Sequence, residues 1–277
     1  MSVKNKIIAL FKISKREYEW IRDYGIWRRM LPITNVKELT DEKILILAPH
    51  SDDEWVGCSQ LLINKKNDVT VMNMSMNGGD SASVHLERFK EMKKVSEKYK
   101  YTLETVEKYK YYSLKEYMKT SDVSIIMVPC YFDWHEEHIE VMHILDKIAT
   151  EIGYDGHIAM YQVSIPIPYQ MITNGSLMGK KVAKNKWKLL KYYYPSQRYL
   201  KTRRFFINEK INGAVASAYA IEGYCLMPYK KWSYNLKKYA LDDEEKNYLK
   251  SNLQHIGVIR DELQRILVES KRDEDRI

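Results

Sequence analysis

Short apolar runs alternate with amphipathic segments along most of the chain. The strand-like runs are KILILAP, DVTVMNMSM, DVSIIMVP and HIAMYQVSI. The helix-like segments are EWVGCSQLLINKK, VHLERFKEMKKVSEKY and HEEHIEVMHILDKIATEI. Strands that alternate with helices form mostly parallel sheets. The pattern therefore predicts an α/β fold: a Rossmann-like three-layer α/β/α sandwich with a mostly parallel sheet, plus helical N- and C-terminal extensions.

The same pattern divides the chain into three predicted parts. Residues 1–42 read as a basic helical N-terminal arm that contains Trp20 and Trp27. Residues 43–230 carry the alternation and form the predicted catalytic domain. Residues 231–277 form a predicted helical C-terminal extension, which is charged from Asp242 onward. We find no internal repeat and no Gly/Ser-rich linker between these parts.

Two polar clusters each follow a predicted strand directly. PHSDDE comes after the first strand, and CYFDWHEEH comes after the third. In open α/β sheets, ligands bind beyond the carboxyl ends of the strands, so both clusters should lie at one edge of the sheet. Two mixed clusters of histidine and carboxylate residues in these positions predict one shared site.

Three residues of these clusters match the ligand set of a catalytic zinc centre. Such centres use three His, Asp or Glu ligands and leave a fourth position for water. His50, Asp53 and His138 satisfy that count. The alternative is structural, because acidic residues are favoured in the first turn of a helix and a single histidine on a helix is usually a surface residue. The coincidence of two such clusters favours the metal centre.

The remaining polar residues of the clusters suggest acid–base chemistry. Asp52 is placed to take a proton from a metal-bound water. His135 precedes His138 by three residues and can face the other side of a substrate carbonyl. Asp133 would then fix the tautomer of His135, as the acid of a catalytic triad does.

Charge adds a candidate partner. The net charge is +8 and the isoelectric point about 9.0, which suggests an anionic partner. No acidic residue occurs between Gly156 and Asn208, while ten Lys and Arg residues fall between Lys180 and Arg204. This stretch predicts contact with an anionic substrate or membrane surface, and an ordinary helix with a basic polar face is the equal alternative. Nucleic acid is not an expected partner, because no recognisable nucleic-acid module accompanies the stretch.

Cysteine content and hydropathy suggest the compartment. Cys58, Cys130 and Cys225 are odd in number and form no Cys-x-x-Cys pair, so a disulfide framework is not expected. No segment approaches the roughly 18 to 20 apolar residues of a membrane span. We expect a cytoplasmic protein, with contact to the inner face of the membrane as the variant that the basic stretch would allow.

The clusters resemble the motifs of the PIG-L or LmbE-like N-acetylglucosaminyl deacetylases. The first motif of that family is A-H-P-D-D-E, and the second is similar to D-x-H-x-D-H; PHSDDE and DWHEEH stand in their places. By resemblance, His50, Asp53 and His138 are the zinc ligands, Asp52 is the base, and His135 steadies the oxyanion or serves as acid. This chain has Ser51 for the usual Pro and Glu137 for the usual Asp.

The resemblance implies a reaction and one further site residue. NGGDSASVHLERFKE resembles the family's loop and R-x-x-E helix, which makes Arg88 a candidate substrate contact; its alternative is a surface pair with Glu91. The implied reaction is zinc-dependent removal of the N-acetyl group from an N-acetylglucosamine-type conjugate, with release of acetate. Fe²⁺ or another divalent metal is the alternative cofactor.

Two functions of other classes remain open from the sequence. One is a metal-dependent hydrolase of another amide or ester, including a two-metal phosphate-ester hydrolase, for which Glu54 and Glu137 are the only weak candidates as bridging carboxylates. The other is a catalytically silent relative that binds a sugar or polyanion. The presence of Asp52 and His135 argues against that second alternative.

Overall fold

A computed structural model of the chain describes residues 3–76, 78–106 and 110–274. The strands are β1 (Lys43–Ala48), β2 (Asp68–Asn73), β3 (Thr102–Thr105), β4 (Ile125–Pro129), β5 (His157–Tyr161), β6 (Asn174–Met178) and β7 (Ala220–Pro228). The helices are α1 (Val3–Met30), α2 (Asp53–Asn64), α3 (Ala82–Tyr99), α4 (Lys110–Thr120), α5 (Glu136–Ile152), α6 (Lys180–Tyr193), α7 (Thr202–Asn212), α8 (Tyr229–Lys238), α9 (Asp243–Ser251) and α10 (Ile256–Glu274).

The seven strands form one sheet in the order β3-β2-β1-β4-β5-β7-β6. The first five strands are parallel, and the predicted α/β fold with a mostly parallel sheet is confirmed. β7 runs antiparallel to both β5 and β6 and so closes the sheet with a mixed edge. The sequence pattern did not predict these last two strands as a sheet edge.

The order of the strands creates a crevice at their carboxyl ends. β1 pairs with β2 on one side, where Ile44 lies opposite Val69, and with β4 on the other, where it lies opposite Ile125. The chain therefore leaves β1 and β4 in opposite directions across the sheet. Ligands of such folds bind at this switch point, which is where both polar clusters begin.

β1 is an uninterrupted apolar run because helices cover both of its faces. Leu45 and Leu47 belong to one core cluster, on the side of α5, while Ile44 and Ile46 belong to the other, on the side of α2. All four side chains are buried. A strand covered on both faces gains hydrophobic stabilisation from every residue, which is why the run lacks the alternation of a surface strand.

The two terminal parts pack against each other and against α7. The indole Nε1 of Trp20 in α1 donates to the carbonyl of Gln254, at 2.7 Å, just before α10. The backbone N–H of Gly257 donates to Asp23 at 3.0 Å. Arg28 donates to the carbonyl of Lys210 in α7 at 2.5 Å and to the carbonyl of Ala218 at 2.9 Å. The boundaries at residues 42 and 230 stay a prediction, but both parts share the core of residues 43–230.

Within the described residues, no helix has the length and hydropathy to cross a lipid bilayer.

Candidate metal centre and active site

The loop between β1 and α2 brings two of the predicted ligands together. His50 lies two residues beyond β1, and Asp53 is the first residue of α2. The carboxylate of Asp53 turns back toward the loop, where its Oδ2 accepts from the His50 backbone N–H at 2.9 Å. A carboxylate in this position is also favoured by the positive end of the helix dipole. The local fold therefore holds Asp53 beside His50 whether or not it binds a metal.

His138, in the first turn of α5, completes a triangle of facing atoms. Its Nε2 lies 3.2 Å from His50 Nδ1 and 3.5 Å from Asp53 Oδ2. His50 Nδ1 and Asp53 Oδ2 are 3.1 Å apart. All three residues are buried. The switch point thus places three potential metal ligands, which come from two distant segments of the chain, around one point.

Two carboxylates outside the triangle orient the imidazole rings. His50 Nε2 contacts Glu137 Oε2 at 2.6 Å, and that oxygen also accepts from the Gly78 backbone N–H at 2.8 Å. His138 Nδ1 contacts Asp133 Oδ2 at 2.8 Å. Each carboxylate favours a proton on the outer ring nitrogen, so the inner nitrogen is the one that a metal would take. Outer carboxylates play this role in known metal sites.

The spacing of the three atoms fits a tetrahedral ion. Ligand atoms about 2.1 Å from a tetrahedral zinc lie roughly 3.4 Å apart, close to the separations in the triangle of His50, Asp53 and His138. His50, His135 and His138 form a looser set that can also hold a metal, with one ligand atom each within 4.8 Å of the others. The tighter spacing favours Asp53 over His135 as the third ligand.

Burial and neighbouring charges set opposite protonation states for the two adjacent aspartates. Burial opposes ionisation of Asp53, but His138 and His50 outweigh it and hold the pKa of Asp53 well below its usual range. Burial, together with the negative charge of Asp53, raises the pKa of Asp52 to about 7. Asp53 is therefore an ionised ligand candidate, while Asp52 exchanges its proton near neutral pH, as a general base should.

The pKa of His138 moves in the opposite direction to that of a simply buried histidine. Burial disfavours its charged form, but Asp133 and Asp53 dominate and raise the pKa of His138 to about 10. In the absence of a metal, the imidazolium of His138 supplies the positive charge that two buried carboxylates require. A bound cation would take over that charge, so metal binding and release of this proton are coupled.

His135 lies at the edge of the triangle, and its ring is not held by Asp133 as the sequence suggested. Asp133 Oδ1 accepts from the His135 backbone N–H at 3.0 Å, while its Oδ2 takes the ring of His138. The His135 ring stacks on His138 with centroids 4.6 Å apart, and its buried Nδ1 has no hydrogen-bond partner. Burial and the two neighbouring histidines lower the pKa of His135, which is therefore neutral.

A cavity of about 210 Å³ opens in front of these residues. Asp52 and Arg88 both line it. Arg88 pairs with Asp80 at 2.7 Å, and the alternative pair with Glu91 is not formed, because Glu91 accepts from the Ser196 backbone N–H at 3.0 Å. Arg88 is thus positioned to meet a ligand in the cavity.

The opposite wall of the cavity comes from a segment that sequence reasoning treated as a surface. Gln197, Leu200, Arg204 and Phe205 all line the cavity. Arg204 donates to the carbonyl of Ser164 at 3.0 Å, and burial lowers its pKa to about 10. No local motif marks these residues, because their proximity to His50 depends on the packing of α7 across the sheet.

The basic stretch from Lys180 to Arg204 is not a uniform surface. Lys186 is buried, where its Nζ lies 2.5 Å from Glu209 and 2.7 Å from Glu222. Its position could have been recognised, because Ala183, Trp187 and Leu190 form the apolar face of α6 on which Lys186 also falls. The remaining lysines of α6 are exposed.

Comparison with known proteins identifies the fold. No protein-family model and no curated sequence matches the chain. Solved structures of two proteins are among those with a similar fold. An N,N′-diacetylchitobiose deacetylase from Pyrococcus horikoshii, solved with an inhibitor, shares 15% identity with a TM-score of 0.55, covering 69% of this chain and 86% of that one. A conserved protein from Thermus thermophilus shares 15% identity with a TM-score of 0.52, covering 66% and 93%. At this identity, the likeness establishes a shared fold.

Proposed function

We propose that this chain is a metal-dependent hydrolase of the PIG-L or LmbE-like type, which removes the N-acetyl group from an N-acetylglucosamine-type conjugate and releases acetate. The observation that carries the proposal is the triangle of His50, Asp53 and His138, whose ligand atoms lie 3.1 to 3.5 Å apart beside a carboxyl of Asp52. The deacetylase from Pyrococcus horikoshii, which has the same fold, supports the assignment of the substrate class.

The donor set fits zinc, with Fe²⁺ as the alternative. At such a site, the chemistry that a bound metal supplies is polarisation of the amide carbonyl and a lower pKa for a coordinated water. His50, Asp53 and His138 would hold the ion, and Glu137 and Asp133 would keep the two rings in the required tautomers.

The other residues divide the proton transfers between them. Asp52 accepts a proton from the attacking water, a role that suits a carboxyl whose pKa lies at about 7. His135 is neutral and lies across the site, where a ring N–H can donate to the oxyanion that forms on the substrate. Cleavage of the C–N bond passes a proton to the leaving nitrogen and yields acetate and a free amine. Arg88 would bind a polar group of the sugar conjugate.

The two-metal alternative finds little support in the described residues. Glu137 is engaged with His50 and the Gly78 N–H, and Glu54 points into the core, where it hydrogen-bonds to the Tyr194 hydroxyl. Burial raises the pKa of Glu54 to about 8, so it is mostly protonated near neutral pH. Neither carboxylate offers a bridging position beside the triangle.

Membrane association of the basic stretch is a separate proposal. The exposed lysines of α6 support it, since about 1 kcal/mol per cation is available near an anionic surface. Co-sedimentation with anionic but not neutral vesicles, lost with added salt, would support this contact, and equal partitioning would contradict it.

The proposed activity is tested by metal content and acetate release together. Protein purified without chelator should hold about one zinc per chain. It should release acetate from some member of a panel of N-acetylglucosamine conjugates. Chelation should abolish the release, and added zinc or Fe²⁺ should restore it. Protein without metal, inactive on the whole panel after zinc, cobalt or iron is added, would refute the proposal.

A further inference from the structure

A second concave site lies away from the candidate active site, between α1, α6 and α7. It encloses about 400 Å³, a volume in the range of small-molecule sites. Its walls are aromatic and come from Trp20, Tyr24, Trp187 and Phe206. We call this site the α1 groove. Aromatic walls of this kind favour an apolar ligand.

The rim of the α1 groove is basic. Lys184 and Lys188 lie one turn apart on α6, are exposed, and have no ion pair with any carboxylate among the described residues. The other two cations are already engaged: Arg203 pairs with Glu17, and Lys210 lies 3.9 Å above the ring centroid of Tyr24. The rim thus offers two free ammonium groups beside an apolar cavity.

Further lysines of α6 continue the positive charge of the rim along the helix. Lys181, Lys184, Lys188 and Lys191 recur at spacings of three, four and three residues, which places them on one face of the helix. Like charges at this spacing repel one another, and the surrounding segment from 157 to 207 contains no acidic residue to relieve the repulsion. A bound anion would relieve it. The charge pattern therefore selects a negatively charged ligand.

We propose that the α1 groove binds an anionic amphiphile, with its hydrocarbon chain between the aromatic walls and its phosphate or carboxylate head at Lys184 and Lys188. Burial of the chain between the aromatic walls removes apolar surface from water, which favours binding. The head group adds charge-assisted hydrogen bonds at the rim. This proposal does not depend on the deacetylase activity.

The α1 groove is separated from the active-site cavity by a single layer of side chains. Arg203 and Phe206 of α7 line the groove, whereas Arg204 and Phe205 line the active-site cavity. Trp187 of the groove stacks on Phe205, with ring centroids 5.5 Å apart. Trp20 and Trp187 both line the groove, so their fluorescence should report ligand binding there when no substrate is present.

The test compares three probes on the full chain by calorimetry and tryptophan fluorescence. Dodecyl phosphate, below its micellar concentration, supplies both chain and charge. Dodecyl maltoside supplies the chain alone, and inorganic phosphate supplies the charge alone. We expect saturable binding of dodecyl phosphate, at least tenfold tighter than that of either other probe. Equal affinity for dodecyl maltoside, or for inorganic phosphate, would overturn the proposal.

Paired variants locate the binding site. Lys184→Glu with Lys188→Glu should weaken dodecyl phosphate binding about tenfold or more, because each change replaces an attraction to the head group with a repulsion. Lys93→Glu with Lys94→Glu makes the same charge change on the exposed face of α3 and should leave binding unchanged. An equal loss of dodecyl phosphate affinity in both double variants would show that only net charge matters. It would overturn the assignment of the binding site to the groove.

A third variant tests the apolar wall. Ile21 lines the groove and is 63% exposed, so the uncharged polar variant Ile21→Ser should fold normally. It should weaken dodecyl phosphate binding and leave the weak affinity for inorganic phosphate unaltered. An unchanged affinity for dodecyl phosphate, with an unchanged thermal midpoint, would show that the chain lies elsewhere.

Discussion

Two buried clusters of ionisable residues lie close to α2, and they are built on opposite plans. The first is the triangle of His50, Asp53 and His138. The second surrounds Lys186, whose Nζ contacts Glu209 and Glu222 and donates to the Val56 carbonyl at 2.7 Å. The Lys186 cluster has its cation at the centre, supplied by the chain. In the triangle, three ligand atoms face one another, and the positive charge among them is a proton on His138 that a metal can replace.

The comparison separates a structural charge network from a binding site. Every charge at Lys186 has an opposite charge within hydrogen-bonding distance, and Trp187 Nε1 donates to the second oxygen of Glu209 at 2.9 Å. Such a network holds elements together but cannot bind anything further. In the triangle, facing lone pairs are tolerated only with a proton or a metal between them. Buried ionisable groups are therefore candidates for metal binding when the proton that balances their charge can be replaced by a metal.

The largest expected effect comes from removing a ligand of the triangle. His138→Ala should lose the metal and reduce acetate release to background, because the remaining two ligands cannot hold zinc in a tetrahedral site. His143→Ala, on an exposed face of the same helix, should change neither. Elemental analysis and turnover measure both variants. Full metal content in His138→Ala would show that the triangle is not the metal centre.

A smaller loss of turnover, with the metal retained, should distinguish the proposed base, Asp52, from the proposed metal ligands. Asp52→Asn should keep its metal and lower turnover by about two to four powers of ten, the usual contribution of a general base. In the wild-type protein, kcat/KM should fall as the pH drops through the pKa of Asp52, which burial and the charge of Asp53 raise, because protonation of Asp52 removes the base. A flat profile from pH 8 to pH 5 would argue against this role. If Asp52→Asn loses its metal and Asp53→Asn keeps it, Asp52 is the metal ligand and Asp53 is the base.

A substitution in the Lys186 cluster should lower the free energy of unfolding and leave the catalytic reaction unaffected. Lys186→Met leaves Glu209 and Glu222 buried without their cation, which typically costs about 3 to 5 kcal/mol of unfolding free energy. Lys184→Met, two residues earlier and exposed, should stay within about 0.5 kcal/mol of the wild type. Urea unfolding gives both values. A Lys186→Met protein that folds with undiminished stability but loses its metal would reverse the assignment of the two clusters.

Much of the fold could be predicted from the sequence because it depends on local periodicity. The buried run at β1 and the amphipathic segments at α3 and α5 identified the alternation of strands and helices. The parallel sheet then implied that the residues after β1 and β4 meet, and the structure brings His50 and His138 together there. These inferences required only the hydrophobic periodicity of the sequence and the rule that ligands bind at the carboxyl ends of parallel strands.

The contacts that the sequence missed depend on packing between distant segments. Asp133 lies near both His135 and His138 in sequence, and only the geometry of the first turn of α5 decides that it takes the ring of His138. Arg204 reaches the cavity in front of His50 because α7 packs against β7. Neither outcome follows from spacing along the chain, since several side chains of the right chemistry compete for the same partner.

The attachment of β7 to α2 has a consequence for synthesis of the chain. Glu222 of β7 accepts from Ser59 Oγ and, at 2.8 Å, from the Gln60 backbone N–H of α2. Ser59 precedes Glu222 by 163 residues, so at 5–20 residues per second the ribosome delivers the acceptor roughly ten to thirty seconds after the donors. Throughout that interval the Ser59 hydroxyl and the Gln60 N–H can bond only to water or to other groups, because Glu222 has not yet been synthesised. Packing of α2 against the sheet is therefore completed only after β7, the last strand among the described residues, has been synthesised.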